Sequence, residues 1–219
     1  MKILLISSSP RKERSLTYLL AQEVLRGCAT NHDVISEVIQ LHGLKIEFCR
    51  HCDSCHKDMG NCAIKDDINL VVKKMLEADG MILASPNYIN QVTAAMKALF
   101  DRCTHFIHCK RLLGKYMAGV ITSGSGEDAP ILDYLSQFAN ICGAQYSGGV
   151  SARVPVNKEA MDAAYELGER MALDIKDRRA YPDQIGNIEK LKEQFKKVIQ
   201  KRRNEWVGEY DYWVEKYWI

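Results

Sequence analysis

Short apolar runs alternate with segments of helical periodicity along most of the chain. Residues 2–7 (KILLIS) are an apolar run of strand length. In residues 15–26 (SLTYLLAQEVLR), Leu16, Leu19, Leu20 and Val24 recur at helical spacing and predict one buried helix face. Residues 34–41 hold two β-branched stretches and predict a second strand. Asp66 and Asp67 open a helix over 68–76, with acidic groups at the end the helix dipole favours. Residues 80–85 (GMILAS) predict a third strand, 92–102 a third helix, 117–123 (MAGVITS) a fourth strand and 129–142 a fourth helix. A shorter, weaker strand over 144–150 precedes a helix over 157–176, started by Asn157 and ended by the charges at 177–179.

Five strands alternating with five helices predict a parallel sheet covered on both faces. For five strands the flavodoxin-like order 2-1-3-4-5 is expected, with a ligand outside the carboxyl ends of the strands. The α/β domain is expected over residues 1–180, with a cysteine-rich insert at 45–66. Residues 181–219 form a helical and aromatic extension. Ile188, Leu191, Phe195, Val198, Ile199 and Trp206 make one apolar face there, and all three tryptophans lie in the last fourteen residues. Exposed aromatics at that density are costly, so this tail must dock on its own subunit or on a neighbour, and a subunit interface is expected.

The chain has 219 residues, 47% hydrophobic, with a net charge of +2. That balance predicts neither a nucleic-acid nor a membrane partner. No apolar run reaches the length of a membrane span, and the N-terminal one is too short for a signal peptide, so a cytoplasmic location is expected. Eight cysteines in a reducing compartment then point to metal or redox chemistry rather than disulfides.

Three loops fall at the carboxyl edge of the predicted sheet. The first, SSSPRKERSLT, joins a strand to a helix N-terminus and carries Ser9, Ser15 and Thr17 with Arg11, Lys12 and Arg14, a composition that can hold a terminal phosphate. Neither a GxGxxG nor a GxxxxGK[ST] run is present, which argues against a dinucleotide fold and an NTPase. The second, SPNYIN, offers a stiff turn at Pro86, amides at Asn87 and Asn90, and an aromatic cover in Tyr88. The third, TSGSGEDAP, has glycines that let backbone approach a flat ligand.

Cys49, Cys52, Cys55 and Cys62 lie within fourteen residues, in CRHCDSCHKDMGNC. Closely spaced triads of cysteine suit an iron–sulfur cluster. A zinc site, an empty site, disulfides and free thiols are the alternatives. Gly60 allows the loop to turn back so that Cys62 closes the site. His51 and His56 read as surface histidines on a polar loop. The run DRCTHFIHCK clusters Cys103, His105, His108 and Cys109 at a spacing that permits a metal but more commonly belongs to core or surface. Cys28 and Cys142 fall on apolar helix faces and are expected to be buried.

SSSPRKERSLT resembles the GSPRxxSxT phosphate loop of the NADPH-dependent FMN reductase family. ASPNYINQVTAAMKALFDR resembles that family's SPxYxxxxxxxxKxxxDR segment. CRHCDSCHKDMGNCAIKDD resembles the compact cysteine motif of its iron–sulfur flavoprotein branch. The resemblance covers roughly residues 1–150. It implies FMN with its phosphate held by Ser9, Arg11, Ser15 and Thr17, and Leu16 as a backbone contact. It implies an isoalloxazine lined by Pro86, Asn87, Tyr88, Ile89, Asn90, Thr122, Ser123 and Gly124. Ser8 stands where glycine is usual, and Leu16 where asparagine is usual. Asp101 and Arg102 are expected to form an ion pair at a helix end.

The function expected is a flavin-dependent electron-transfer oxidoreductase with FMN and a 4Fe–4S cluster. Electrons would come from a ferredoxin-like donor or NAD(P)H and pass to a small acceptor. An FMN-only NAD(P)H-dependent reductase of quinone or flavin, and a non-enzymatic flavodoxin-like binding module, are the other readings. Resemblance to this family also implies a homodimer or homotetramer.

Overall fold

A computed structural model describes residues 1–30 and 33–219. The elements run β1 (Lys2–Ser7), α1 (Leu16–Ala29), β2 (Ile35–Gln40), α2 (Ser54–Lys57), α3 (Ile68–Glu77), β3 (Gly80–Pro86), α4 (Ala94–Asp101) and α5 (Thr104–Cys109). They continue with β4 (Tyr116–Ser123), α6 (Ala129–Cys142), β5 (Gln145–Arg153), α7 (Lys158–Asp177), α8 (Pro182–Lys201) and α9 (Val207–Glu215). The sheet order is β2-β1-β3-β4-β5, all parallel, as the alternating pattern predicts. No helix among the described residues is long and apolar enough to cross a membrane.

The central strands are apolar on both faces because helices cover both. Ile3, Leu4, Leu5 and Ile6 of β1 are fully buried, Leu4 and Ile6 with α3, α4 and α6, Ile3 and Leu5 with α1 and α7. Burial of each such side chain contributes roughly 1.5–3 kcal/mol. Edge strand β5 is longer than its sequence suggests. Alternate residues face outward, and a bulge beside Met117 and Ala118 places Gly148 at φ +131°, which conceals the strand as an apolar run.

The buried face of α1 is turned from the expected one. Leu16 and Leu19 are exposed, and Thr17, Tyr18, Leu20, Ala21, Val24, Gly27 and Cys28 are buried. Close packing on α7 selects that face: a Cβ on Gly27 would meet the Tyr165 carbonyl, and one on Gly168 the Val24 carbonyl. Asp66, rather than Asp67, caps α3 by accepting the Ile68 N–H at 3.2 Å, while Asp67 accepts the N–H of Lys45 at 2.7 Å. Cys28 and Cys142 are buried as expected.

Part of the tail docks on its own chain, one of the two placements expected for it. Trp206 and Trp213 are buried with Ile199 of α8 and Cys109 of α5. The apolar surface of Trp206 and Trp213 is thereby covered within the chain, while Tyr217 stays exposed.

Gly168→Ala should destabilise the protein by about 1–3 kcal/mol in urea unfolding, because the added methyl meets backbone that cannot step aside. An unchanged or raised midpoint would show that α1 and α7 separate freely.

Candidate functional site

Two cavities gather the chemistry-bearing residues. The first is a cleft of about 250 Å3 at the carboxyl edge of the sheet. It is lined by Ser9, Arg11, Ser15, Leu16, Thr17, Pro86, Asn87, Tyr88, Thr122, Ser123, Gly124 and Val154. Ile89 and Asn90 are not among its walls. Both sit at positive φ in a tight turn, closed by reciprocal backbone hydrogen bonds between Tyr88 and Gln91, and Ile89 is wholly exposed.

The loop walls are tied to one another by buried polar groups. Ser15 caps α1 by accepting the Tyr18 N–H at 3.4 Å, which leaves its hydroxyl hydrogen free and the other first-turn N–H groups pointing outward. The Thr17 and Thr122 hydroxyls share a hydrogen bond of 2.5 Å, joining the first loop to the third. Ser8, where glycine is usual, donates its hydroxyl to the Ala84 carbonyl at 3.2 Å, so its side chain is satisfied away from the cleft. Thr93 caps α4 and donates its hydroxyl to the Ser8 carbonyl at 3.3 Å, while Ser85 accepts the Thr93 N–H at 3.0 Å.

Asp128 organises the other side. Its buried carboxylate accepts from the Asn87 amide at 2.9 Å and from the Ser123 hydroxyl at 2.9 Å. Both donors are therefore used in scaffolding, which leaves Ser123 accepting only from the Gly126 N–H. Asp128, Thr93, Ser85 and Val154 were not singled out from the sequence. Asp128 lies at a helix start, as N-caps do, but its partners come from distant loops.

The second cavity, of about 60 Å3, is lined by all four cysteines, Cys49, Cys52, Cys55 and Cys62. Arg50, His51, Asp53, His56, Ile64, Asp101, Arg102 and Thr104 complete it. Cys49 and Cys52 are exposed, and Cys55 and Cys62 half-buried. The insert reaches this arrangement with little regular structure: α2 is a single turn, and His51, Asp53 and Gly60 all have positive φ. Burial, and secondarily the neighbouring Cys62, Glu209 and Cys49, pushes the Cys55 thiol up to about 12. Such a thiol ionises at neutral pH only against a cation.

Arg102 holds the insert in place. It does not pair with Asp101, as expected from the sequence; Asp101 instead accepts from Lys97 at 2.5 Å. The buried guanidinium donates to Asp66 at 2.8 and 3.1 Å, to the Glu47 carbonyl at 2.6 Å and to the Cys62 sulfur at 3.1 Å. Asp66 also accepts the Glu47 N–H at 2.8 Å. Burial alone would raise the Asp66 carboxyl, but the hydrogen bonds from Arg102 and from the Glu47 and Ile68 backbone hold it below the ordinary carboxylate range.

Of the two insert histidines, His56 departs from expectation. His51 is exposed, but His56 is buried, its Nδ1 2.6 Å from Glu209 Oε1, and His108 Nδ1 lies 3.0 Å from Glu209 Oε2. Cys103, His105 and Cys109 are buried core residues, and burial pushes the His105 imidazole down to about 3.

The two cavities share no lining residue. Helix α4 lies between them, its Thr93 end touching Ser8 and its Arg102 end touching Cys62. Eight helical residues set those ends about 12 Å apart. The insert leaves the sheet at its carboxyl edge, but its cysteines gather at the far end of α4.

The strand order and the cleft at the carboxyl edge define a flavodoxin-like α/β protein. The pattern of the NADPH-dependent FMN reductase family matches residues 1–156, and the chain belongs to that family. An iron-sulfur flavoprotein of Archaeoglobus fulgidus is 39% identical over 127 residues, 57% of this chain and 60% of that relative. The chain thus matches less than two thirds of that relative's length. A second iron-sulfur flavoprotein of Archaeoglobus fulgidus is 27% identical over the full length of both. Among solved structures, a flavone reductase superposes with a TM-score of 0.66 at 20% identity, over 81% of this chain and 64% of that one.

Arg102→Met should cost about 3–5 kcal/mol in urea unfolding, since it strands the Asp66 carboxylate in the interior. A loss below about 1 kcal/mol would show that the pair is solvated rather than structural.

Proposed function

We propose that this protein is a flavin-dependent electron-transfer oxidoreductase, with FMN in the cleft and a 4Fe–4S cluster on Cys49, Cys52, Cys55 and Cys62. The observation that carries this reading is the gathering of residues from three loops into one cleft and of four cysteines into one separate cavity. FMN would supply chemistry in steps of one or two electrons, and the cluster steps of one.

The residues fit both groups. Ser15, Arg11 and the free N–H groups of the first turn of α1 present donors to a phosphate. Space lies open beside Gly124, so a flat ring can approach its backbone. Asp128 holds Asn87 and Ser123 still, and the Thr17–Thr122 bond fixes the distance between phosphate loop and ring loops.

At the cysteines, four thiols in one cavity provide the ligand set a 4Fe–4S cluster takes. Arg102 offers its charge against the negative charge of four thiolates. Electrons would enter from a ferredoxin-like protein at the exposed Cys49–Cys52 side, or as hydride from NAD(P)H at the cleft, and leave to a small acceptor.

Anaerobically isolated protein should contain FMN together with about four iron and four sulfide per chain, with a shoulder near ~400 nm that dithionite bleaches. FMN without iron would leave the FMN-only reductase as the function. Ser15→Asp keeps a good helix cap but sets an anion where the phosphate would sit, so FMN affinity should fall at least ~10-fold with unfolding stability preserved. Unchanged affinity would remove the phosphate from this loop.

A further inference from the structure

The C-terminal extension lies outside the stretch that matches the family, yet it packs directly on the cysteine insert. Its Glu209 has no exposed surface and sits between two imidazoles, one carboxylate oxygen on His56 Nδ1 at 2.6 Å and the other on His108 Nδ1 at 3.0 Å. Burial would raise this carboxyl, but the His108 and His56 hydrogen bonds hold it below its ordinary value. His56 is the residue after Cys55 on α2, and His108 belongs to α5. Glu209 therefore joins the tail, the insert and the main domain at a single group.

Two more contacts act on the same turn. Trp206 stacks on His56 and His108 with ring centroids 4.5 and 4.8 Å away, and its indole N–H donates to Asp53 at 3.1 Å. Gly208 lies flat against the insert: a Cβ there would stand 2.6 Å from the Lys57 carbonyl oxygen and 2.8 Å from the Met59 nitrogen. Every contact these three residues make with the insert falls between residues 53 and 59, a segment that contains Cys55 and follows Cys52.

Two histidines and a carboxylate could also suggest a second metal site. The ring geometry disfavours it. The two imidazoles are stacked, 22° from parallel and 4.9 Å apart, so an ion between them would lie out of both ring planes, where no nitrogen lone pair points. A carboxylate meets each ring with a different oxygen and has no such conflict.

We propose that Glu209, with Trp206 and Gly208, is a positioning residue that clamps the Cys52–Cys55 turn and keeps the cysteine cavity in cluster-binding form. The proposal rests on the reading of the cysteines as cluster ligands. Arg102 secures the Cys62 side and Glu209 the Cys55 side, so the insert is braced by the sheet domain and by the tail at once.

The full-length protein and its Glu209→Ala, Gly208→Val and Trp206→Phe variants, prepared without oxygen, are compared for iron, acid-labile sulfide, FMN content and the rate of bleaching near ~400 nm in air. Glu209→Ala and Gly208→Val should lose the cluster roughly 10-fold faster in air, with FMN content unchanged. Trp206→Phe, which keeps an aromatic ring in the stack but removes the Asp53 hydrogen bond and part of the indole surface, should show a smaller change in the same direction and serves if the others do not fold. Wild-type bleaching rates in all variants that fold would overturn the clamp while leaving the cluster intact. Absence of iron from the wild-type protein would overturn the cluster reading and the clamp with it. Zinc retained by protein with all four cysteines changed to serine, and released by Glu209→Ala, would replace the clamp with a metal site.

Discussion

The buried pair of Arg102 and Asp66 is the constraint on which the rest of the insert depends. One guanidinium meets a carboxylate, a backbone carbonyl and a cysteine sulfur. The carboxylate in turn accepts N–H groups from Glu47, before the cysteines, and Ile68, after them. Both ends of an irregular segment are thereby fixed to the end of one helix. A loop with so few apolar residues has no core of its own to organise it. Charge pairing inside the protein adds to the packing of Leu44, Ile46 and Cys62 on the core and of Met59 on the tail cluster.

The parallel sheet was legible because its central strands are buried on both faces and so read as unbroken apolar runs. The flavin-type loops were legible because phosphate contact requires hydroxyls and a helix start next to each other in sequence. What was not legible depends on distant partners. Asp101 and Arg102 are neighbours in sequence but face different sides, so adjacency misled about their pairing. His56 looks like a polar loop residue until Glu209, more than 150 positions away, is folded against it. Leu16 and Leu19 carry the helical spacing of a core face, yet small residues set the face that packs, because α7 comes close enough to touch backbone.

Asp128 shows the same limit within the cleft. Asn87 and Ser123 were singled out as ring contacts, and both lie in the wall. Their side-chain hydrogens are nevertheless committed to Asp128 and, for Asn87, also to the Glu127 carbonyl, so both side chains shape the wall. A site is often built from residues that touch the ligand and others that keep those residues still, and composition alone does not separate the two.

The length of α4 between the two cavities has a consequence for how the protein is assembled. With no wall in common, neither pocket needs the other to be filled before it can form. If flavin fills the cleft and a cluster the cysteine cavity, loss of either leaves the walls of the other in place. Flavin content would therefore report on the cleft alone, and iron content on the cysteine cavity alone.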